Sequence, residues 1–355
     1  MDSQPGRLAR LGFADAAAAA SMVEAWEPYG TGEEIEQALL ALPGTADPDL
    51  ALAGFNTLVA ARPGLFGECG ADEAFARRLV AVLGASAALN QHLGNHPEDV
   101  DILRGSVARR PADDLRAELL ASVGADPHAA APVAEASRSD DLRRAYRRAL
   151  LRIAARDLTA ADPLVELPDV AAELADLADA TIETALALAR GEVPGWEKCR
   201  LGVVALGKTG ARELNYVSDV DVLFLAEPAL AADGDPVCEP GEAVAVAARL
   251  ASALTRVCSA HTGAGTIWQV DAALRPEGKA GPLVRTLGSH RAYYEKWAKN
   301  WEFQAMLKAR PMAGDLALAQ EFVDMVWPMV WQVADNDQFV GEVQAMRRRV
   351  ISLLP

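Results

Sequence analysis

The chain has 355 residues, a formal net charge of −16 and an isoelectric point near 4.8. Hydrophobic residues make up 51% and charged residues 24% of it, which is typical of a globular protein, and a prior of about 150 residues per domain gives two or three domains. Because an excess of carboxylates repels a polyanion, this charge argues against broad binding to a DNA or RNA backbone.

The cysteines and the N-terminal residues indicate the compartment. Cys69, Cys199, Cys238 and Cys258 are scattered and form no Cys-x-x-Cys pair, so they indicate reduced thiols rather than a disulfide framework or a zinc knuckle. The apolar run 16–20 is far too short to span a membrane, and no apolar leader segment is visible. We therefore predict a soluble, cytoplasmic protein with no membrane partner and no nucleic-acid partner.

Residues 1–195 have the pattern of a helical region, because Ala and Leu are abundant and Gly and Pro fall between the apolar segments. Helices are predicted over 51–62, 72–90, 140–158 and 169–190, the last with an acidic face. The helix over 140–158 has one apolar stripe, and its remaining surface carries Arg143, Arg144, Arg147, Arg148, Arg152 and Arg156. These arginines fit an anionic partner or pairing with neighbouring acidic helices, and we favour pairing.

His92 and His96 stand four residues apart, a spacing that could bind a metal ion from one helix face. No Glu completes a metalloprotease motif, Gly94 intervenes and Pro97 ends the helix. We favour a structural helix end over a zinc site.

The segment that carries chemistry begins with an apolar run, Leu201 to Leu206, which predicts a short buried strand. The Gly-Lys-Thr-Gly sequence over 207–210 predicts a turn, and a second strand is predicted from Val217 to Leu225. On that strand Asp219 and Asp221 project from the same face, about 6–7 Å apart. The residues between and after them, Val220, Val222 and Phe224, point into a core.

Two neighbouring carboxylates repel each other, and burying them uncompensated is costly. A divalent cation removes this cost, and Mg²⁺ prefers one or two carboxylates completed by water and phosphate oxygens. Glycines allow a backbone to approach a phosphate closely, because they lack a Cβ. The combination favours phosphoryl or nucleotidyl transfer over the alternative, a surface Asp-x-Asp after an ordinary glycine turn.

The remaining chain is predicted to form an acidic connector over 227–241, a helix over 242–259 and a strand that contains Asp271. From His290 onward it is predicted to be helical, including the segments 322–333 and 347–355. Four residues of this region have helical 4, 3, 4 spacing and would share one face: Trp297, Trp301, Gln304 and Lys308. Such a face fits a nucleotide cleft with Lys308 or Arg310 on phosphate, or alternatively packing tryptophans with a lysine at the rim.

A family resemblance rests on these residues. Gly207, Lys208 and Gly210, then Arg212-Glu213-Leu214-Asn215, then Ser218-Asp219-x-Asp221 resemble the nucleotidyltransferase signature of the DNA polymerase beta superfamily. More narrowly they resemble glutamine synthetase adenylyltransferase. Two further motifs match that family, Asp271-x-x-Leu274-Arg275-Pro276-x-Gly278 and Trp301-Glu302-x-Gln304-Ala305-x-x-Lys308-Ala309-Arg310. The resemblance covers most of residues 80–320.

The resemblance implies an α+β fold that is predominantly α-helical, with one small mixed sheet between helical regions. The corresponding domains are 1–195, 196–285 and 286–355. It implies a third carboxylate, Asp271, on a strand next to Asp219 and Asp221, and all three would be catalytic ligands of Mg²⁺ or Mn²⁺. The predicted nucleotide and phosphate contacts are Gly207, Lys208, Ser218, Arg275, Gln304, Lys308 and Arg310.

Members of this family carry two such domains in tandem, and this chain, with one copy, resembles the amino-terminal, deadenylylating half. The implied reaction is phosphorolysis, in which inorganic phosphate removes AMP from an adenylylated tyrosine of glutamine synthetase and releases ADP. One alternative is AMP transfer from ATP to that tyrosine. Another is a nucleotide-sensing module that binds glutamine synthetase or a PII-type nitrogen sensor, which the resemblance also implies as a partner.

Overall fold

The computed structural model describes residues 4–334 and the single positions 341, 344 and 348. These residues fold into two compact units, 4–109 with 147–170 and 110–146 with 171–334. Helices predominate and one small mixed sheet is present, so the predicted α+β, mostly helical class is confirmed. The three predicted domain ranges, 1–195, 196–285 and 286–355, do not coincide with these units and stay a prediction.

The first unit is built from short helices, most of which begin at a polar capping residue. They are α1 (Gln4–Leu11), α2 (Ala16–Glu24), α3 (Gly32–Ala41), α4 (Pro48–Ala61), α5 (Leu65–Ala71), α6 (Glu73–Ala85) and α7 (Ala87–Asn95). The side chains of Asp72 and Ser86 each accept a hydrogen bond from the backbone three residues on, which satisfies an otherwise unpaired N–H. Ser86 therefore starts a new helix, and the single helix predicted over 72–90 is wrong. Trp26, Phe55 and Phe66 pack their rings together in the core.

The structural helix end predicted at His92 and His96 is present, because α7 ends at Asn95 and a separate 3₁₀ helix begins at Pro97. His92 is buried, and its Nε2 lies 3.0 Å from Oδ2 of Asp99. Asp99 also pairs with Arg148 at 2.5 Å. His92 thus belongs to a buried polar network near the end of α7, as the structural interpretation predicts.

The next three helices are α8 (Ala112–Ser122), α9 (Ser139–Leu158) and α10 (Pro163–Glu192), of which α9 and α10 are the longest so far. Helix α9 confirms the predicted amphipathic helix, but its arginines are not all on the surface. Arg143 is only 1% exposed and donates to the carbonyl oxygens of Val257 and Ala260. Arg156 pairs with Glu166 at 2.9 Å, which agrees with the pairing interpretation of this helix.

The sheet lies in the second unit. Its strands are β1 (Cys199–Ala205), β2 (Asp219–Pro228), β3 (Gln269–Asp271), β4 (Val284–Arg285) and β5 (Arg310–Gly314), in the order β3-β2-β1-β5 with β4 also paired to β2. Strand β1 is antiparallel to β2 and β5, whereas β2 is parallel to β3 and β4. The helices around it are α11 (Gly207–Gly210), α12 (Pro240–Ser259), α13 (Leu287–Lys296), α14 (Asn300–Met306) and α15 (Leu316–Ala334).

Helices α12 and α15 both contact the two central strands, so β1 and β2 read as near-continuous apolar runs. In the cluster that involves α15, Val204 and Leu225 pack with Phe322 and Val326. The opposite-facing Val220, Val222 and Phe224 are fully buried, as predicted. This burial fixes the position of β2, and with it the positions of Asp219 and Asp221 on the opposite face.

Three local predictions around the sheet are wrong. The Gly-Lys-Thr-Gly segment forms the one-turn helix α11, and β2 begins at Asp219 rather than at Val217, which is 92% exposed. The continuous helix predicted from His290 to Arg310 is broken after Lys296, and Arg310 pairs with Ala205 as the first residue of β5.

Because of that break, Trp297 and Lys308 lie outside α14, and the four residues with 4, 3, 4 spacing do not share one face. Trp297 is 73% exposed. The predicted helical segment 347–355 lies outside the described residues except for Arg348, which is helical.

Candidate functional site

Strand register brings the three predicted aspartates together. Asp221 and Asp271 are direct partners in the parallel pair of β2 and β3, and Asp219 is the partner of Gln269. Paired positions on neighbouring strands project from the same face, as do positions two residues apart on one strand. The carboxylates of Asp219, Asp221 and Asp271 therefore lie on one face, near the start of β2.

The aspartate cluster is short of positive charge. Burial, together with repulsion from Asp219 and Asp271, raises the pKa of Asp221 to about 6, while the charge of Lys208 opposes the increase. Oδ1 of Asp271 accepts a hydrogen bond of 2.7 Å from the Ala273 N–H. A cation bound among these groups would remove the repulsion and favour their charged forms.

The backbone at the start of α11 packs directly against the Asp221 carboxylate. Gly207 has φ +54°, and a Cβ built there would lie 2.2 Å from Oδ2 of Asp221. The Leu206 N–H donates to the Asp221 carbonyl oxygen at 2.9 Å. A glycine is thus required at 207 for both its conformation and its space, and its neighbour is a carboxylate of the cluster.

Gly210 closes the other end of α11. A Cβ there would lie 2.0 Å from the carbonyl oxygen of Lys308. The two glycines therefore allow α11 to fit between Asp221 on one side and the segment before β5 on the other.

Two of the predicted phosphate contacts lie beside the aspartates. Nζ of Lys208 donates to Oδ1 of Asn215 at 3.1 Å, and its charge acts on Asp221. Oγ of Ser218 donates to the Asp219 carbonyl oxygen at 2.9 Å. Contact of Lys208 and Ser218 with a phosphate bound at the cluster stays a prediction.

Arg275 holds the loop that follows Asp271. Its Nη1 donates to the Ala272 carbonyl at 2.8 Å, its Nε to that of Gly281 at 3.2 Å and its Nη2 to that of Lys279 at 3.3 Å. The guanidinium is therefore used by backbone carbonyls of the loop. A direct contact from Arg275 to nucleotide stays a prediction.

The three nucleotide contacts predicted after α13 have different surroundings in the structure. Gln304 is half-buried in α14. Lys308 pairs with Glu213 at 2.7 Å. Arg310 binds both carboxylate oxygens of Asp179, and its Nη2 also donates to the Thr209 carbonyl oxygen in α11. Arg310 thus reaches α11 through a side-chain hydrogen bond, whereas Lys308 packs its backbone against Gly210 of that helix. Contact of these three residues with nucleotide stays a prediction.

Asp176 and Asp179, which no sequence motif singled out, pair with Arg212 and Arg310 beside α11. They lie three residues apart on α10, and Asp176 pairs with Arg212 at 2.5 Å. The sequence predicts an acidic face on this helix, but such a face is equally typical of a solvent-exposed surface. In the structure Asp176 is 2% exposed, so the acidic face points into the second unit.

The donor set fits a divalent cation by its chemistry, since three carboxylates are the hard oxygen ligands that Mg²⁺ and Mn²⁺ prefer. Among the described residues, no three His, Cys, Asp or Glu side chains are already closed around one point. Mg²⁺ sites at phosphates need only one or two carboxylates, because waters and phosphate oxygens complete the shell. The residues present therefore suit a metal that binds together with a phosphate group.

A separate cavity of about 740 Å³ lies elsewhere in the second unit. Its lining includes Asp179, Glu183 and Arg190, but none of the three aspartates of the cluster. Strand register, rather than cavity volume, therefore locates the candidate site. Across the part of the chain that the structure describes, no helix is both long and apolar enough to cross a membrane.

Comparison with known proteins matches the part of the chain that contains the candidate site. The glutamate-ammonia ligase adenylyltransferase family model matches residues 76–325, which include α11 and all three aspartates. Similar proteins include bifunctional glutamine synthetase adenylyltransferase/adenylyl-removing enzymes from three bacteria. The enzyme of Cutibacterium acnes is 54% identical over 87% of this chain and 31% of its own length. The enzyme of Streptomyces avermitilis is 49% identical over 98% of this chain and 34% of its own length. The enzyme of Mycobacterium avium is 42% identical over 98% of this chain and 33% of its own length.

The chain thus spans about a third of the length of the curated relatives that it matches. The family model covers well over half of the chain, and the relatives match nearly all of it. On these grounds the chain belongs to the glutamate-ammonia ligase adenylyltransferase family.

Proposed function

We propose that this chain removes AMP from an adenylylated tyrosine of glutamine synthetase by phosphorolysis. The observation that carries the proposal is the register pairing of Asp221 with Asp271 beside the Gly207 backbone. The names of the relatives include both an adenylyltransferase and an adenylyl-removing activity. The choice of removal rests on the sequence around Glu213-Leu214-Asn215 and Val217-Ser218-Asp219, which resembles the deadenylylating half of the family.

The reaction joins two anions. An oxygen of inorganic phosphate attacks the phosphorus of the tyrosine-bound AMP and forms the P–O–P bond of ADP. The P–O bond to tyrosine breaks, and the phenolate takes up the proton of the attacking hydrogen phosphate. No covalent nucleophile is required, so the protein must mainly position the two phosphates and offset their repulsion.

The residues of the site suit that task. Asp219, Asp221 and Asp271 would hold Mg²⁺ or Mn²⁺, which supplies positive charge to the phosphate oxygens when it is bound. Lys208 would hold a phosphate oxygen by a charge-assisted hydrogen bond, and Ser218 would donate a neutral one. The Gly207 backbone keeps the approach to Asp221 free of a side chain.

The second candidate is the forward reaction, AMP transfer from ATP to the same tyrosine. It uses the same charge arrangement, and the bifunctional names of the relatives favour it equally. A nucleotide-sensing module that binds glutamine synthetase or a PII-type sensor is the third candidate. The presence of all three carboxylates favours an enzyme over that module.

The test is incubation of the chain with adenylylated glutamine synthetase, phosphate and Mg²⁺. ADP release with loss of the adenylyl group is expected, and the Asp219→Asn, Asp221→Asn double variant should lose it. ATP-dependent AMP transfer without ADP release would replace the proposal by the forward reaction. Turnover of the double variant at the wild-type rate would remove the aspartates from the chemistry and favour the module.

A further inference from the structure

The four-residue helix α11, here called the glycine helix, is linked to α10 through Arg310 of β5, which contacts both helices. Asp179 of α10 binds Arg310 of β5 through both carboxylate oxygens, with N–O distances of 2.6 and 2.9 Å. Nη2 of Arg310 also donates to the carbonyl oxygen of Thr209 at 3.1 Å. The guanidinium therefore caps the C-terminal end of α11, where a cation and a donor both stabilise a helix.

A second ion pair holds the residues just after α11. Asp176 is almost fully buried and pairs with Arg212 at 2.5 Å. Arg212 has φ +59°, in the left-handed region, which is unfavourable for a non-glycine residue. The pair thus helps to keep Arg212 in a conformation that it would otherwise leave.

Helix α11 needs such support because it has only four residues. A single helical turn is unstable by itself, since it orders several residues for very few hydrogen bonds. Any shift of α11 also moves Gly207, whose backbone lies against the Asp221 carboxylate. The contacts at the far end of the helix can therefore change the geometry at the aspartate cluster.

We propose that Asp179 and Asp176 are positioning residues, which act through Arg310 and Arg212 to hold α11 against Asp221. The catalytic consequence rests on the proposed function, whereas the ordering of α11 does not. In this assignment Nη1 and Nη2 of Arg310 serve Asp179 and Thr209 rather than phosphate. Asp179 itself touches no reacting group.

The decisive variant is Asp179→Asn, because it removes a carboxylate from α10 and no cation from the site. A matched control is Asp315→Asn. Asp315 pairs with Arg200 at 2.6 Å, and its side chain is 25% exposed, against 22% for Asp179. It contacts β1 and the start of α15 rather than α11. A second test variant, Arg310→Lys, keeps the charge but cannot hold two carboxylate oxygens and a carbonyl together.

The first measurement is hydrogen exchange of the amides of Gly210, Ala211 and Arg212, which bond to the carbonyls of Leu206, Gly207 and Thr209. We expect exchange to be about tenfold faster in Asp179→Asn and in Arg310→Lys, and unchanged in Asp315→Asn. Wild-type exchange in both test variants would overturn the inference. This measurement needs no substrate, so it decides the inference even if the chain proves to have a different activity.

The second measurement is ADP release from adenylylated glutamine synthetase at varied phosphate concentration. Misplacement of α11 is expected to lower kcat about 10- to 100-fold in Asp179→Asn, with the KM for phosphate changed less than about twofold because no phosphate ligand is lost. Asp179→Glu should restore part of kcat. A raised KM in Arg310→Lys with a normal kcat in Asp179→Asn would show instead that Arg310 binds phosphate directly. Absence of ADP release in the wild type would reject the proposed function and leave the exchange result standing.

Discussion

A Cβ on Gly207 would lie 2.2 Å from Oδ2 of Asp221, so the first residue of the glycine helix and a carboxylate of the candidate site occupy adjoining space. The Gly207→Ala variant must move one of them, and it must also adopt φ +54°, which is unfavourable for alanine. We expect activity to fall at least about 100-fold, as it does when reacting groups are displaced by about an ångström. Steady-state ADP release measures this loss.

The control for that variant is Gly241→Ala, where a Cβ would meet nothing within 4 Å. It lies in the first turn of α12, where alanine is tolerated. Wild-type activity is expected there. Normal activity of Gly207→Ala would contradict the close approach of the two residues.

Asp221→Asn is expected to lower activity and raise stability at the same time. Burial and two neighbouring carboxylates disfavour the charged form of Asp221, so a neutral isostere removes an unfavourable interaction from the metal-free protein. We expect the free energy of unfolding to rise by about 1 kcal/mol, after discounting for the solvent-exposed part of the side chain. Urea unfolding in the presence of a chelator measures it.

Mn²⁺ or Mg²⁺ should raise the thermal midpoint of the wild type, because a ligand that binds only the folded state stabilises it. The shift should be much smaller in Asp221→Asn. An equal shift in both proteins would place the cation away from Asp221.

Burial of His290 should make the free energy of unfolding depend on pH. It is buried against Tyr294 and Phe322, and burial lowers its pKa from the ordinary value of 6.5 to about 3. Between these values the unfolded chain binds a proton at this histidine and the folded chain does not, so stability falls as the pH drops below about 6.5. The histidine accounts for about 2 kcal/mol of the stability lost between pH 8 and pH 5.

The His290→Leu variant should lose that part of the pH dependence, whatever its stability at pH 8. Denaturant unfolding at pH 8 and pH 5 measures the difference between the two proteins. Replacement of His128, which is exposed, by leucine is the control and should leave the wild-type pH dependence intact. An unchanged pH dependence in His290→Leu would show that this ring is protonated in the folded state.

Arg143→Ala should be strongly destabilising although it lies in the arginine-rich face of α9. Its guanidinium is buried and donates to the carbonyl oxygens of Val257 and Ala260, which the variant would leave without this donor. We expect a loss of about 3 kcal/mol in the free energy of unfolding. Arg249→Ala, at an exposed position of α12, should cost less than about 0.5 kcal/mol. Thermal or urea unfolding of the two variants distinguishes these values.

Much of the site could be predicted from local spacing. The apolar run before Gly207 and the alternation through Phe224 predict two strands, and the two-residue separation of Asp219 and Asp221 places them on one face. These features depend on strand period alone. The pairing of Asp271 with Asp221 came from the family resemblance, since no local pattern specifies which strand lies beside β2.

The helical and strand periods, the spacing of the paired aspartates and the need for glycine near them follow from the amino-acid order alone, because each of these depends on a few neighbouring residues. Two features required the folded chain: Arg310 begins a strand paired with Ala205, and the acidic face of α10 is packed against arginines. Both depend on groups that lie more than 30 and up to about 130 residues apart in the chain. Such partners are selected by the packing of the whole unit, which local periodicity does not encode.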